Sequence, residues 1–109
     1  MEVVFGQYPN WNKIIEFIQN HIEFGKTKLN QLTSNDYENM YQYLFELIEK
    51  GIEEGEFSPE QSTELIINST IITLVGTGTL HQNIKSRRFI VAKQLQFIQD
   101  QLREDLVVI

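Results

Sequence analysis

The chain has no cysteine, few basic residues and no long apolar run. The absence of cysteine excludes disulfides, thiolate metal sites and cysteine nucleophiles. Lysine and arginine number 9 against 15 aspartates and glutamates, which gives a formal net charge of −6. DNA binding takes most of its affinity from lysine and arginine on phosphates. We therefore expect no nucleic-acid binding by this chain alone.

The sequence shows neither a secretory signal nor a membrane span. Met1-Glu2-Val3-Val4-Phe5 lacks the basic start and long apolar core of a signal peptide. The longest stretch without charge, residues 65–84, contains asparagine, several threonines and a histidine, and is too polar to cross a membrane. We expect a cytoplasmic protein that does not bind membranes. Its 109 residues have the composition of one globular domain.

Apolar residues recur with the 3.6-residue period of an α-helix in most of the chain. The pattern predicts an all-α fold, an antiparallel helical bundle of about four helices. The predicted helices cover about 10–31, 35–54, 59–81 and 86–106. Residues 1–9 fit either an irregular segment or a short helix.

Local signals mark the helix ends. Ser58-Pro59-Glu60-Gln61 reads as an N-cap, a proline at the first helical position and a capping box. Asn35 with Glu38 three residues later predicts a similar start for the second helix. Gly55 fits the left-handed residue that follows a helix. Gly51 costs about 1 kcal/mol relative to alanine inside a helix, which predicts a close contact or a bend there.

The third predicted helix has a strand-like composition. Isoleucine, threonine and valine are abundant from Leu65 onward, and these residues favour strands. The capped start favours a helix, and so do apolar residues on all sides, because a helix surrounded by other helices has that pattern. We predict a helix, with a strand as the alternative.

The sequence contains no assembled catalytic or metal-binding set. His21 and His81 lack a glutamate three residues earlier and form no H-E-x-x-H motif. Gly76-Thr77-Gly78 lacks the third glycine and the Walker lysine of a phosphate loop. We expect no enzyme activity, no metal and no cofactor. Lys85-Ser86-Arg87-Arg88, the only basic cluster, fits a solvated loop or a contact with an acidic or anionic partner.

Aromatic residues concentrate in the first two predicted helices. Packing in the core is their ordinary explanation, as it is for His21. However, tyrosine hydroxyls on an inward face also suit a cavity that has a few polar groups in an apolar wall. The residues that we predict as pocket-lining are Trp11, His21, Tyr37, Tyr41 and Phe45.

The segment YLFELIEKGIEEGEFSPEQSTELIINSTIITLVG resembles the C-terminal domain of TetR-family transcriptional regulators. The resemblance is carried by a glycine-acid-acid-glycine-acid-Phe pattern followed by a proline-containing cap. Those positions are Gly51, Glu53, Glu54, Gly55, Glu56, Phe57, Pro59 and Glu60. The N-terminal helix-turn-helix by which the family reads DNA has no counterpart in this chain.

The resemblance implies a domain that binds a small, often apolar ligand inside a helical bundle. It also implies a homodimer, in which the last two helices of each copy form a four-helix interface. The implied interface residues are Ser69, Ile72, Thr73, Gly76, Thr79, Val91, Leu95, Ile98 and Leu102. The function expected on this basis is effector sensing and dimerisation in a TetR-like regulator. The alternative is a structural helical interaction module with no ligand pocket.

Overall fold

The computed structural model describes residues 8–20, 32–60 and 62–107. The described residues form four α-helices: α1 (Pro9–Asn20), α2 (Ser34–Glu53), α3 (Thr63–Asn83) and α4 (Val91–Leu106). Within these ranges the only β-type contact is an isolated antiparallel bridge between Phe57 and Val107. The all-α prediction is confirmed, and the strand alternative for the third segment is wrong.

The helices pack in chain order, α1 on α2, α2 on α3 and α3 on α4, and α4 returns to touch α1. Neighbouring helices run antiparallel. Along α2 from Tyr37 to Tyr41 the neighbouring side chains on α3 run backward from Asn68 to Glu64, and the α3–α4 groove places Leu65 at the start of α3 near Asp105 at the end of α4. Each helix turns one apolar face inward. The largest fully buried apolar side chains are Ile14, Ile18, Leu44, Phe57, Ile67 and Leu106.

The second helix starts two residues earlier than predicted at its cap. Thr33 is the N-cap: its Oγ1 accepts from the backbone N of Asp36 at 3.0 Å, and Asp36 Oδ2 accepts from the backbone N of Thr33 at 3.2 Å. This complete capping box precedes the predicted one, so Asn35 is already inside the helix. At the other end, Gly55 has φ +78°, which confirms the left-handed position predicted after α2.

The third helix starts later than predicted. Ser58 is not its N-cap, because the Ser58 backbone N donates to the Leu106 carbonyl at 2.7 Å and holds the chain against α4. Ser58 Oγ instead accepts from the Glu60 backbone N at 3.3 Å, within a turn. The helix begins at Thr63, and Ser62 Oγ accepts from the backbone N of Leu65 at 3.4 Å.

The predicted start of the fourth helix near Ser86 is also wrong. Ser86 forms a turn in which its Oγ accepts from the Arg88 backbone N at 3.1 Å, and its carbonyl from the Phe89 backbone N at 3.3 Å. This local turn delays α4 to Val91. The first predicted helix corresponds to α1, and its remainder, 21–31, lies outside the described residues.

The link from α2 to α3 is tightly packed around Gly51, in a segment that we name the Gly51–Phe57 corner. A Cβ at Gly51 would overlap the ring of Phe57, which is 1% exposed. The Gly51 carbonyl accepts from the backbone N of Glu56 at 2.7 Å and of Phe57 at 3.0 Å. The close contact predicted from the helix glycine is therefore confirmed, with Phe57 as the neighbour.

Glu56 in this corner caps a different helix. Its side chain is buried, and its carboxylate accepts from the backbone N of Asn10 at 3.2 Å and of Trp11 at 2.7 Å. Asn10 Nδ2 donates to Glu56 Oε1 at 3.0 Å. These bonds satisfy N–H groups that the first turn of α1 cannot pair internally, at the end where the helix dipole favours an anion. The corner thus joins α2 to α1 and, through Ser58, to α4.

Candidate functional site

The side of α3 that faces away from the core forms, with the adjoining side of α4, one continuous surface. We call it the outer face. On α3 it consists of Leu65, Ser69, Ile72, Gly76 and Leu80. On the other side it consists of Ile90, the N-cap residue of α4, and of Gln94, Phe97 and Gln101 on α4. None of these residues carries a charge.

Several large apolar side chains of the outer face are exposed. Ile72 is 69% exposed, Leu65 67% and Phe97 62%, whereas Ile67 on the opposite side of α3 is fully buried. Scattered exposed apolar residues are ordinary on a soluble protein, but a contiguous uncharged surface that contains several of them marks an interaction site. α3 is apolar all round, and this chain covers only one of its sides.

A shallow groove of about 290 Å³ runs between the two helices on this face. Leu65 and Thr73 line it from α3, and Phe97 and Ile98 line it from α4. Its polar boundary is formed by Gln94, Gln101 and Asp105. The groove lets side chains from a second surface interdigitate with the exposed apolar residues.

The structure divides the predicted interface residues into two groups. Ser69, Ile72 and Gly76 lie on the outer face, Thr73 lines its groove, and Thr79 is partly buried nearby. Val91 and Leu95 are also only partly exposed, and Ile98 and Leu102 are buried in the chain's own core. Ile98 and Leu102 therefore have little surface left for a partner.

Sequence reasoning missed Leu65 and Phe97 on this face. Phe97 lies outside the spacing of Val91, Leu95, Ile98 and Leu102, which is the core-facing stripe of α4. A large apolar residue outside an already complete core stripe was the available signal. Leu65 sits in a run of three apolar residues, so no periodicity distinguishes it from Ile66 and Ile67.

A second concave site lies between α1 and α2. It has a volume of about 460 Å³ and is open to solvent. Phe17, Met40 and Tyr43 supply its apolar wall, and the Phe17 and Tyr43 rings stack with centroids 5.4 Å apart. Its remaining lining residues are Glu16, Asn20, Asp36 and Asn39. This combination suits an apolar ligand that carries no negative charge.

The four predicted pocket residues that the structure describes, Trp11, Tyr37, Tyr41 and Phe45, do not line either of these two sites. Tyr37, Tyr41 and Phe45 form a row along α2, with successive ring centroids 6.0 and 6.3 Å apart. The Tyr37 hydroxyl donates to Asn68 Oδ1 at 2.5 Å, which ties α2 to α3. Trp11 packs partly buried against the core, and His21 lies outside the described residues.

The surroundings of Tyr41 affect the ionisation of its hydroxyl. Desolvation, followed by the nearby Glu64 carboxylate, raises the pKa of the Tyr41 hydroxyl above its ordinary 10.0, so the phenol stays protonated at neutral pH. In residues 8–20, 32–60 and 62–107 no group of three histidine, cysteine or acidic side chains is placed to hold a metal ion. The concave sites are suited to binding by shape and apolar contact.

Residues 13–84 match the family model described as "Tetracyclin repressor-like, C-terminal domain". The matched range contains most of α1, all of α2, the Gly51–Phe57 corner and α3. The chain belongs to this family. The resemblance seen in the sequence is thereby confirmed. No curated protein and no solved structure matches the chain.

Domains of the tetracyclin repressor-like family are parts of transcriptional regulators, and in general they dimerise and bind small-molecule effectors. They are not enzymes. Within the part of the chain that the structure describes, no helix combines the length and apolar character needed to cross a membrane.

Proposed function

We propose that this chain senses a small effector and dimerises as the C-terminal domain of a TetR-like transcriptional regulator. The observation that carries the proposal is the uncharged outer face of α3 and α4. Ile72, Leu65 and Phe97 are all more than 60% exposed there. A second copy that presents the same face would bury them, as an isologous two-fold contact requires.

The effector site that the geometry favours is the cavity between α1 and α2. Phe17, Met40 and Tyr43 offer apolar surface, and Glu16 and Asp36 disfavour an anionic ligand. We place the ligand here and not on the Tyr37–Phe45 row, because Tyr37 already uses its hydroxyl on Asn68. A bound ligand would act by favouring one of two bundle conformations and so one spacing of attached DNA-reading elements.

The test of dimerisation is sedimentation equilibrium on the wild-type chain, Ile72→Glu, Phe97→Glu and the control Ala92→Glu. Ala92 is exposed on α4 but lies off the outer face. We expect a wild-type and Ala92→Glu dimer. Each outer-face variant should weaken association at least about tenfold, because a carboxylate would be buried without a partner. A wild-type chain that stays monomeric at high micromolar concentration would end the proposal.

The test of effector binding is the shift in melting temperature with 4-phenylbutylamine and with 4-phenylbutyrate, which share an apolar body and differ in charge. Ligand that binds only the folded state stabilises it by mass action. We expect the amine to raise the melting temperature of the wild type, and to do so less for Tyr43→Ala. If neither these probes nor a wider set of apolar compounds shifts the transition, the interaction module without a pocket is the better description.

A further inference from the structure

The α3–α4 hairpin separates positive and negative charge along its length. No acidic residue occurs between Glu64 and Asp100, and that stretch holds four basic ones: Lys85, Arg87, Arg88 and Lys93. The first three lie in the connection between the helices and are exposed. We call Lys85, Arg87 and Arg88 the basic turn.

The opposite end of the hairpin is acidic. The last two turns of α4 carry Asp100, Glu104 and Asp105, against the single basic residue Arg103. Asp100 and Glu104 are exposed, and Asp105 borders the groove of the outer face. We call Asp100, Glu104 and Asp105 the acidic end. The uncharged outer face lies between the basic turn and the acidic end.

The two charged ends do not neutralise each other within one chain. α3 has 21 residues, which makes it about 30 Å long. Exposed charges separated by more than about 10 Å are largely screened at about 0.1 M salt. Within the described residues, no carboxylate forms an ion pair with a side chain of the basic turn. Lys85, Arg87 and Arg88 are exposed, so an acidic partner can reach the basic turn.

We propose that the outer face binds a second copy in antiparallel orientation, with the basic turn of each copy on the acidic end of the other. This inference rests on the proposed dimerisation and specifies its geometry. A two-fold axis near Ile72 and Phe97, the mid-points of the two helices, would superpose the exposed apolar residues. It would also form two equivalent charge contacts, one at each end of the interface.

The charges in this arrangement select the orientation more than they add affinity. A parallel pairing of the same faces would set basic turn against basic turn and acidic end against acidic end. Like charges brought together oppose that alternative, while the apolar contacts of Ile72 and Phe97 would be similar in both. This gives the basic cluster of an otherwise acidic chain a specific role.

The first experiment measures the dimer dissociation constant of the wild type by sedimentation equilibrium at low and high sodium chloride. If opposite charges are in contact, the dissociation constant should be about tenfold lower at low salt than at high salt. A dimer that tightens with salt, or whose dissociation constant does not change with salt, would mean that attraction between the charged ends does not outweigh the repulsion between two chains of net charge −6. Either result overturns the inference and leaves the proposed function standing. A wild-type monomer at both salts would overturn both.

The second experiment reverses the charges. Arg87→Glu/Arg88→Glu should weaken the homodimer about tenfold or more, as should Asp100→Lys/Glu104→Lys. Mixing these two variants should restore dimers, because each contact then joins opposite charges. A chain with all four substitutions should recover to within about threefold of the wild type.

Matched control variants make the same change in net charge at positions outside the α3–α4 hairpin. Lys13→Glu/Lys50→Glu and Glu46→Lys/Glu49→Lys alter exposed residues of α1 and α2. We expect these to shift the dissociation constant much less than the hairpin variants. Equal effects of the control and hairpin variants would overturn the inference. So would a variant with all four substitutions that dimerises as weakly as the variants with two. Circular dichroism at the same concentrations confirms that each variant is folded.

Discussion

The Gly51–Phe57 corner and the outer face of α3 and α4 differ in how far a single chain buries their apolar side chains and pairs their polar groups. In the corner, the Phe57 ring is 1% exposed and the Glu56 carboxylate accepts three hydrogen bonds from Asn10 and Trp11. On the outer face, Ile72 and Leu65 are about two-thirds exposed. The corner is complete in the single chain, whereas the outer face has apolar surface left to bury.

This difference separates stability from association. Substitutions in the corner should change the free energy of unfolding of the single chain, because they remove contacts that are already made. Substitutions of the exposed apolar side chains of the outer face should change that free energy much less and alter the dimer dissociation constant. Since dimerisation itself raises apparent stability by mass action, unfolding is best measured in the monomeric Ile72→Glu background.

The largest expected effect on stability is that of Gly51→Ala. The added methyl would overlap the Phe57 ring, which is enclosed and cannot move aside. Overpacking should destabilise the chain by about 2–3 kcal/mol, even after the small gain in helix propensity. Urea unfolding followed by circular dichroism measures it. Gly51→Ala/Phe57→Leu should recover part of the loss, and an unchanged midpoint for Gly51→Ala would show that the contact is looser than described.

The next largest effect is that of Glu56→Ala. This substitution leaves the first-turn N–H groups of Asn10 and Trp11 without the carboxylate that now accepts them. An unsatisfied buried donor costs roughly 1–3 kcal/mol, so we expect a loss of about 2 kcal/mol. Glu53→Ala, at an exposed position of the same segment, is the control and should change stability little. Equal urea unfolding midpoints for the two variants would show that Glu56 does not stabilise the start of α1.

The helical architecture could be predicted because it depends on local periodicity. The apolar spacing of α2 and α4 indicates helices whatever their neighbours are. In α3 the helix-wide distribution of apolar residues correctly outweighed its β-branched composition. Gly55 could be placed because the positive φ after a helix end favours glycine. The close contact at Gly51 could be predicted because glycine destabilises a helix interior unless a neighbour requires the space.

The helix starts were harder to predict because each depended on a longer-range contact or a competing cap. Ser58 matches an N-cap in sequence, but its backbone bonds to Leu106, almost fifty residues away. Thr33 and Asp36 provide a capping box equivalent to the predicted one and two residues earlier. Sequence patterns do not rank such alternatives, because tertiary contacts decide between them.

For the candidate sites, the sequence predicted the helices that carry them but not the side of each helix, and both sites remain predictions. The sequence indicated a cavity beside the first two helices and an interface on the last two. It did not distinguish the inner row Tyr37–Phe45 from the cavity wall of Phe17, Met40 and Tyr43. It also assigned to the interface Ile98 and Leu102, which are buried in the core of the single chain and line the floor of the groove. Which side of an aromatic or apolar helix faces a neighbour depends on packing angles, which the period alone does not fix.

The smallest effect, and the one that links the two regions, is that of Gly76→Ala. Gly76 is on the outer face, and a Cβ built there meets nothing within 4 Å in the single chain. In the monomeric Ile72→Glu background, replacing a helix glycine should therefore stabilise folding by up to about 1 kcal/mol.

In the wild-type background the same methyl would lie between α3 and the partner's helices. If they approach closely at Gly76, the substitution should weaken the dimer while it stabilises the chain, whereas Gly51→Ala should destabilise the chain. Unfolding of the monomeric background and sedimentation of the dimer give the two values independently. A variant that stabilises the chain and leaves the dimer unchanged would move the two-fold contact away from Gly76, toward Phe97 and α4.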